Sequence, residues 1–444
     1  MTPEPKPKKN RRAPKTPSLL RGFKDILPEN SVYWRKVRDA AEKILGDYGY
    51  GEISVPILEQ TALFKRTIGE HTDIVSKEMF TFTDKGNDSV TMRPEITAGI
   101  ARSYIEHGML NRPQPVKLYS FGPVFRYDRP QAGRYRQFHQ LSIEVFGNYQ
   151  PVSDAEVIFV SYLICKHLNL DVVIHVNSIG DAESRTEYAK LLKEYFKSKR
   201  RLLCEDCKKR LLKNTLRILD CKEAGCRDLI KDAPQLVDHI DEESKAHFVS
   251  VLEHLGESEV PYELNPYIVR GLDYYNRTAF EIFPRLEKTK TDEAKEDSSP
   301  NALGGGGRYD GLIENIGGRE TGAVGMAFGL ERIVELLKQS GSSAKSDKTP
   351  QIFLAQLGSD ATKHAFTLFE TLRQSGIRVS SNFSKEGLKA QLEQADKLGV
   401  AYAVILGQKE LLDQTVIIRD MENGIQEVVD LNKISEEIKK RLKK

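Results

Sequence analysis

The sequence predicts an α+β fold: a mainly antiparallel sheet flanked by helices, carrying a helical insertion and followed by a C-terminal α/β domain. Strand-like runs at 117–126 and 137–146, joined by a short loop, predict antiparallel pairing. A polar, mainly helical stretch at about 182–256 predicts the insertion. Apolar strand candidates that alternate with helical patterns after residue 350 predict the smaller domain. The chain of 444 residues is long enough for several domains.

The elements before residue 117 follow from periodicity and turn signals. Residues 32–48 repeat apolar positions at helical spacing. Residues 52–59 resemble a strand, and Pro56 predicts that it lies at a sheet edge or an interface, because proline cannot donate to a ladder. A hairpin is expected from 79–82 and 90–92. Pro94 and Glu95 are then expected to open a helix.

Composition shifts predict the domain boundaries. Residues 1–20 are basic and proline-rich, which is typical of a flexible arm; a solvated tail and an arm that touches RNA phosphates both fit this composition. The main domain is predicted at 21–338. A linker rich in Ser, Lys and Gly follows at 339–350, and the α/β domain occupies 351–444. Its strand candidates are 352–357, 377–380, 402–406 and 416–419.

Overall charge and hydropathy exclude some classes of protein. A net charge of +3 gives no argument for nucleic-acid binding from bulk charge. No apolar run is long enough to cross a membrane, and the N-terminus lacks the apolar segment of a secretion signal. We therefore expect a cytoplasmic protein without a membrane partner, whose thiols are reduced.

Three arginines indicate a site for phosphate or carboxylate groups. Arg126, Arg270 and Arg332 each lie in a segment rich in glycine and aromatic residues, and a guanidinium presents a planar fork that fits such anions. Any one of them alone is more commonly an ordinary ion-pair residue; together they suggest a nucleotide site. Residues 304–307 are all glycine but match neither a P-loop nor a dinucleotide fingerprint, so by themselves they indicate a flexible turn.

Five segments resemble those of one enzyme family, and they occur along the chain in the same order as in that family. Residues 121–138 (Phe-Gly-Pro-Val-Phe-Arg, continuing through Arg-Pro-Gln-Ala-Gly-Arg-Tyr-Arg-Gln-Phe) look like motif 2 of class II aminoacyl-tRNA synthetases in its histidyl form. Residues 325–332 (Gly-Met-Ala-Phe-Gly-Leu-Glu-Arg) look like motif 3, and the helix from 32 with the Pro56 strand resembles motif 1. Residues 270–275 (Arg-Gly-Leu-Asp-Tyr-Tyr) and 303–312 resemble two signatures of the histidyl enzymes.

The resemblance implies a histidine–tRNA ligase with the class II fold. Such an enzyme activates L-histidine with ATP to histidyl-adenylate and transfers it to the 3′ end of tRNA(His), releasing AMP and diphosphate. It also implies an anticodon-binding role for 351–444, a homodimer supported by motif 1, and Mg²⁺ at the phosphates. A non-catalytic regulatory relative and a class II enzyme for another amino acid are the alternatives; both are disfavoured by the segment at 270–275.

The same resemblance assigns roles to individual residues. Arg126 and Arg270 would be catalytic, holding the α-phosphate and the histidine carboxylate, while Arg134 and Arg332 would hold the outer phosphates of ATP. Glu144 and Tyr275 would bind the imidazole ring. Without the motif context, Gln140 and Glu144 would be interpreted as strand residues facing solvent. The residues expected to contact histidine are Glu95, Ile96, Thr97, Arg126, Gln140, Glu144, Arg270, Tyr274 and Tyr275.

One position departs from the family pattern. Relatives commonly carry glycine after the glutamate of the Arg93-Pro94-Glu95 segment, whereas this chain has Ile96. Either the Ile96 side chain points away from the amino-acid pocket, or the pocket differs slightly. The role expected for Glu95 depends on which of these holds.

Four of the five cysteines fall within the predicted insertion. Cys204, Cys207, Cys221 and Cys226 have the spacing C-x2-C, thirteen residues, C-x4-C. This spacing is compatible with a structural zinc ion and equally with four reduced thiols, so no residue is assigned to a metal. Cys165 lies alone on an apolar stretch and is expected in the core.

Overall fold

The computed structural model describes residues 16–70, 72–129, 133–219, 221, 223–269, 272–285, 301–340, 349–385 and 387–443. The chain divides into two compact units, 1–342 and 343–444. Several features expected from the sequence lie outside the described residues: most of the N-terminal arm, most of the 339–350 linker, the centre of the motif 2 loop at 130–132, and Arg270.

The first unit is built on an eight-stranded sheet. Its strand order is β1-β5-β6-β11-β10-β9-β7-β8, in which the two edge pairs are parallel and the inner pairs antiparallel. This confirms the predicted antiparallel sheet. The strands of the unit are β1 Gly51–Glu52, β2 Leu58–Gln60, β3 Phe80–Thr83, β4 Ser89–Met92, β5 Val116–Phe125, β6 Gln137–Phe146, β7 Val172–Ser178, β8 Tyr262–Leu264, β9 Asn276–Pro284, β10 Gly304–Arg308 and β11 Ala323–Gly329.

Helices cover one face of this sheet and leave the other partly open. Apolar residues of β6 alternate along the strand, and Leu141, Ile143 and Val145 enter one core cluster together with residues of α1, α4 and α10, defined below. The opposite face of β6 carries polar side chains. The helices are α1 Pro28–Asp47, α2 Thr61–Ile68, α3 Thr97–Glu106, α4 Pro151–His167, α5 Ala182–Ser198, α6 Glu205–Lys213, α7 Ala224–Lys231, α8 Glu242–Glu257, α9 Leu312–Asn315 and α10 Leu330–Gln339.

Two predictions around the first hairpin are wrong in detail. The single strand expected at 52–59 is split into β1 and β2, which join different sheets, and Arg93 donates to the carbonyl oxygens of Val55 and Pro56 between them. Each half lies at a sheet edge, as Pro56 predicted. Pro94 and Glu95 precede α3, which begins at Thr97, instead of opening it. The Glu95 carboxylate accepts from the Ala98 amide in the first turn of that helix.

The predicted flexible turn at 304–307 is also wrong, since these glycines form central strand β10 between β9 and β11. The physical reason is close backbone approach. A Cβ atom at Gly306 would lie 2.1 Å from the carbonyl oxygen of Gly325, and one at Gly307 would lie 2.3 Å from that of Thr278. Only glycine fits such positions, so the run serves packing between strands.

The predicted insertion contains four helices, α5 to α8. Apolar residues of α5 to α7 share one core cluster with residues of α3, β5 and β6, whereas Phe248, Val251 and Leu255 of α8 join the cluster beneath the main sheet. Cys165 of α4 is fully buried in that same cluster, which confirms its core position.

The second unit has a five-stranded sheet, β13-β12-β14-β15-β16, whose first three strands are parallel. The sequence predicted four of these strands; the exposed fifth was missed because its outward residues are mostly polar. Within the part of the chain that the structure describes, no helix has the length and apolar character needed to cross a membrane. The elements of this unit are β12 Ile352–Gln356, α11 Ser359–Gln374, β13 Val379–Ser381, α12 Leu388–Lys397, β14 Tyr402–Leu406, α13 Gln408–Leu412, β15 Thr415–Asp420, β16 Gln426–Asp430 and α14 Ile434–Leu442.

Candidate active site

The open face of the large sheet has a floor of small residues. Along β11, Gly325, Ala327 and Gly329 pair with Glu144, Ser142 and Gln140 of β6, and the neighbouring strand β10 adds further glycines. Residues two apart on a strand share a face, so this side of the sheet carries polar side chains on one strand and almost none on the next two. The arrangement leaves space above the centre of the sheet.

Glu144 lies at one end of this space with no exposed surface. Its Oε1 accepts from Thr97 Oγ1 at 2.7 Å and from Ser142 Oγ at 2.6 Å, while Tyr309 donates its hydroxyl to Oε2. A Cβ atom at Gly325 would lie 1.8 Å from Oε2, so glycine is required beneath the carboxylate. The interpretation of Glu144 and Gln140 as solvent-facing residues is therefore wrong, because both are buried.

Burial raises the pKa of Glu144 to about 8, and the hydrogen bonds from Ser142, Tyr309 and Thr97 offset only part of that effect. The nearby Glu95 carboxylate raises the pKa further. None of the groups that most affect this pKa is a cation. The carboxyl group is thus primed to interact with a ligand that brings N–H donors or positive charge.

Three tyrosines pack together beside Glu144, and one of them, Tyr309, donates to its carboxylate. The ring centroids of Tyr274 and Tyr275 are 4.6 Å apart, and that of Tyr309 is 5.4 Å from Tyr274. All three are buried, and burial raises the pKa of the Tyr274 and Tyr309 phenols well above the ordinary value. The hydroxyl groups of Tyr274 and Tyr309 therefore stay protonated at neutral pH and can donate hydrogen bonds.

Glu95, Thr97 and Gln140 lie around the same space. Glu95 Oε1 accepts from the Ala98 amide at 2.9 Å, but Oε2 is buried and has no hydrogen-bond partner among the described residues. Gln140 Oε1 is buried and equally without such a partner. Burial raises the pKa of Glu95. Two buried acceptors without donors indicate a place for a donor-rich group such as an ammonium.

The Ile96 side chain is 1% exposed and packs in an apolar cluster with Val55 and Ile100. The backbone at Ile96 has φ −100°, a conformation open to any residue. The side chain is therefore accommodated by core packing, in line with the first of the two alternatives considered for this position.

Three arginines lie together at the other end. Arg126 donates from Nε to the Pro94 carbonyl at 2.8 Å and stacks 5.3 Å above the centre of the Phe138 ring. Burial lowers the pKa of Arg126 and of Arg332, and Arg134 lowers both further. Cations brought this close repel one another, and a polyanion would relieve that repulsion.

The loop after β5 carries the more exposed arginines. Arg134 pairs with Asp128 at 3.0 Å, with 43% of its side chain exposed. A cavity of about 420 Å³ lies beside the loop. Its lining is mainly basic and aromatic: Arg21, Tyr127, Asp128, Arg129 and Arg136.

The structure brings together nine of the eleven residues assigned from the sequence. The Ile96 side chain packs in the core, and Arg270 lies outside the described part. Sequence reasoning missed Ser142 and Tyr309 as site residues. Ser142 shares a strand face with Glu144 two residues away, and this spacing was a usable signal. Tyr309 lies in the segment 303–312, but nothing in the sequence indicated which side chain of that segment faces the site.

Comparisons with known proteins agree with the resemblance. The chain matches the family model for histidyl-tRNA synthetase over residues 22–333 and that for the anticodon-binding domain over 351–441. It is 45% identical to a histidine–tRNA ligase of Caldicellulosiruptor saccharolyticus over 95% of this chain and 99% of that one. A histidine–tRNA ligase of Dehalococcoides mccartyi is 44% identical with the same coverage. The apo histidyl-tRNA synthetase of S. aureus superimposes with a TM-score of 0.77 at 35% identity, covering 96% and 100% of the two chains.

Proposed function

The chain belongs to the histidyl-tRNA synthetase family, and we propose that the pocket around Glu144 is where it joins histidine to ATP. It is a histidine–tRNA ligase, which forms histidyl-adenylate and passes histidine to the 3′ end of tRNA(His) with release of AMP and diphosphate. In this reaction a carboxylate attacks the α-phosphate of ATP. Two anions must meet, so catalysis consists mainly of positioning and electrostatic stabilisation.

The observation that carries the proposal is the fully buried Glu144 carboxylate, which lies beside a group of packed tyrosines and accepts from one of them. A neutral imidazole ring offers one N–H donor and one acceptor nitrogen, and an imidazolium donates from both. An entering ring would therefore bring to Glu144 the N–H donor that the residues around it do not supply, while a tyrosine hydroxyl could meet the second nitrogen. The neighbouring Tyr274 and Tyr275 would enclose the ring. A buried acceptor of this kind rejects side chains without a matching donor, because such ligands would leave it unpaired.

The rest of the amino acid fits the polar groups nearby. The histidine ammonium would donate to Glu95 Oε2 and Gln140 Oε1, the two buried acceptors without described partners, with Thr97 and the backbone of Ile96 alongside. The histidine carboxylate would approach Arg126, whose guanidinium is anchored through Nε on the Pro94 carbonyl. Arg270 would share the carboxylate and the α-phosphate, as the family resemblance implies.

The outer phosphates of ATP would lie on Arg134 and Arg332. The closeness of these cations to Arg126 supports a triphosphate site, since Arg134 lowers the pKa of both Arg126 and Arg332, and Arg126 lowers that of Arg332. Mg²⁺ bound to the phosphates would neutralise the remaining charge. The glycine floor of β10 and β11 lets a flat nucleotide approach the sheet closely.

The tRNA would contact both units. The basic cavity beside the motif 2 loop suits the acceptor end, because Arg21, Arg129 and Arg136 present cations to phosphates. The α/β unit, which matches an anticodon-binding domain over 351–441, would bind the anticodon. We expect the enzyme to work as a cytoplasmic homodimer; exposed Ile57 and Leu58 on the motif 1 segment support an interface there, and sedimentation equilibrium tests the dimer.

The direct test is exchange of pyrophosphate into ATP, measured with each of the twenty amino acids. We expect exchange with histidine alone. Glu144→Gln should lower kcat/KM for histidine by about 10- to 150-fold, equivalent to the ~1.5–3 kcal/mol of a hydrogen bond to a charged group. Folded protein that exchanges with no amino acid would contradict the proposal and favour a regulatory role.

Glu156→Gln is the matched control. Its carboxylate also accepts from a tyrosine hydroxyl, that of Tyr50 at 2.9 Å, but it lies on α4 beneath the sheet. This variant should keep the activity of the parent. Equal losses in the two variants would show that any change of carboxylate to amide is harmful, and the assignment of Glu144 to the ring would fall.

A further inference from the structure

Four cysteines of the insertion converge at the starts of two helices. Cys204 is the residue before α6, Cys207 lies in the first turn of that helix, and Cys226 lies in the first turn of α7. Cys221 belongs to the connection between the two helices. Cys204 and Cys226, which are 22 residues apart in the sequence, therefore lie close together. All four sulfur atoms lie within 4.8 Å of one another.

The spacing of the sulfur atoms fits a tetrahedral metal site. Four thiolates at about 2.3 Å from one zinc ion would lie about 3.8 Å from each other. The Sγ atoms of Cys204 and Cys221 are 3.8 Å apart, and all four cysteines are free thiols. A disulfide would require about 2.05 Å between two sulfurs. We infer that Cys204, Cys207, Cys221 and Cys226 bind one structural zinc ion as four thiolates.

Backbone amides donate to two of the four sulfurs. The backbone amide of Cys207 donates to Cys204 Sγ at 3.4 Å, and that of Cys204 donates to Cys226 Sγ at 3.3 Å. Hydrogen bonds of this kind orient metal ligands and stabilise their charge. The Cys207 amide belongs to the first turn of α6, so the N-terminus of that helix also favours negative charge on Cys204.

Most of the site is enclosed, as is typical of a structural metal. Cys207 and Cys226 are 0% and 1% exposed and Cys221 is 9% exposed, while Cys204 is partly exposed. Four protein ligands leave no position for a substrate. The zinc ion would therefore take no part in the chemistry of aminoacylation and would act through folding.

The loop that the metal closes reaches toward the active site. Arg217, between the two cysteine pairs, forms an ion pair from Nη2 to Asp73 Oδ2 at 3.1 Å. Asp73 directly precedes the π-helical turn Ile74–Glu78, and the carbonyl of Glu78 accepts from the Tyr127 amide beside Arg126. Zinc would thus hold the insertion against the segment that lines the arginine side of the pocket.

The first test is the metal content of the full-length protein, purified without chelator and measured by plasma mass spectrometry. We expect one zinc per chain, retained on dialysis against a weak chelator. The double variant Cys204→Ser/Cys207→Ser should contain none. Cys165→Ala, which removes the one cysteine outside the cluster, should keep the full zinc content.

Native protein that contains no zinc and takes none up, or that loses it to a weak chelator, would overturn the inference. So would iron in place of zinc. The zinc content of the native protein is measured on the unaltered chain, so this test remains valid even if the double variant fails to fold.

A second measurement tests the ligands themselves. Replacement of the metal by Co²⁺ should give the intense visible absorption of tetrahedral thiolate-bound cobalt, present in Cys165→Ala and absent from Cys204→Ser/Cys207→Ser. Removal of the metal should also speed proteolysis within 208–219. Weak cobalt absorption typical of oxygen ligands, or proteolysis unchanged by metal removal, would contradict a structural thiolate site.

Discussion

Two fully buried carboxylates on opposite sides of the large sheet have opposite properties. Glu144 receives hydrogen bonds from hydroxyl groups, and burial raises its pKa to about 8. Burial also acts on Asp154, but the Arg308 guanidinium and His247 outweigh it and lower the pKa of that carboxyl below the ordinary value. The partners that distinguish them, Arg308 and Tyr309, are consecutive in the chain.

Consecutive residues of extended chain point to opposite faces, so one short segment supports both environments. Arg308 donates from Nε to Asp154 Oδ2 at 3.0 Å and from Nη1 to Asp310 at 2.9 Å, and it has no exposed surface. Asp154 is saturated by its partners and belongs to the scaffold. Glu144 accepts from hydroxyl groups, and no cation is among the groups that most affect its pKa. This environment suits a carboxyl group that binds a ligand.

The largest expected effect comes from breaking the scaffold pair. Arg308→Met leaves Asp154 buried beside His247 without its guanidinium, and removal of one partner of a buried ion pair lowers the free energy of unfolding by about 3–5 kcal/mol. Urea denaturation followed by circular dichroism measures the change. The difference between variant and parent should persist at saturating histidine, because Arg308 faces away from the pocket and binding stabilises both proteins equally.

The double variant Arg308→Met/Asp154→Leu is the matched control. Replacing both charges by apolar side chains removes the unpaired carboxylate, and such replacements are often neutral. We expect most of the lost stability to return. A double variant as unstable as the single one would show that the other contacts of Arg308, to Asp310 and to the carbonyls of Asn148 and Gln150, carry the effect and the charge on Asp154 does not.

The polar face of β6 could be predicted from the sequence, whereas its burial could not. Alternation of Gln140, Ser142 and Glu144 with apolar residues indicates that the three share one face. That pattern is typical of a solvent-facing strand, and only the tertiary fold brings Tyr274 and Tyr309 over it. The family motifs supplied the roles that the alternation alone did not.

Strand β10 shows a second limit. Glycine runs have no side-chain periodicity, so local reasoning predicts a turn at 304–307. The strand forms because its neighbours approach too closely for any Cβ atom, and that distance is set by residues far away in sequence. By contrast, the hairpin of β3 and β4 was predictable, since its turn residues and strand residues are adjacent in the chain.

The comparison also predicts different responses to pH. The folded-state pKa of Glu144 is raised, so its contribution to stability is complete below the ordinary value of 4.5 and is lost as pH rises toward 8. Glu144→Gln removes this loss. Between about pH 5 and pH 8 the variant should gain stability relative to the parent by at most about 1.4 kcal/mol per pH unit.

Urea unfolding of both proteins across this range measures the difference, with Ser120→Ala as a control that alters a buried polar group without a charge. Asp154 has the opposite sign, because its lowered pKa means that its contribution is lost only as pH falls below the ordinary value of 3.8. Stability curves of parent and Glu144→Gln that run parallel from pH 5 to pH 8 would contradict a raised pKa for Glu144.

The smallest effect concerns two serines that face each other across β5 and β6. Ser142 donates to Glu144 Oε1 at 2.6 Å, whereas the buried hydroxyl of Ser120, directly opposite, has no hydrogen-bond partner among the described residues. Ser142→Ala should weaken histidine activation by roughly 2- to 12-fold, corresponding to the ~0.5–1.5 kcal/mol of one hydrogen bond. Ser120→Ala, of equal size and similar burial, should leave activation unchanged. Pyrophosphate exchange compares the two, and equal effects would mean that Ser142 acts only through packing of the strand pair and not by holding the Glu144 carboxylate for the ring.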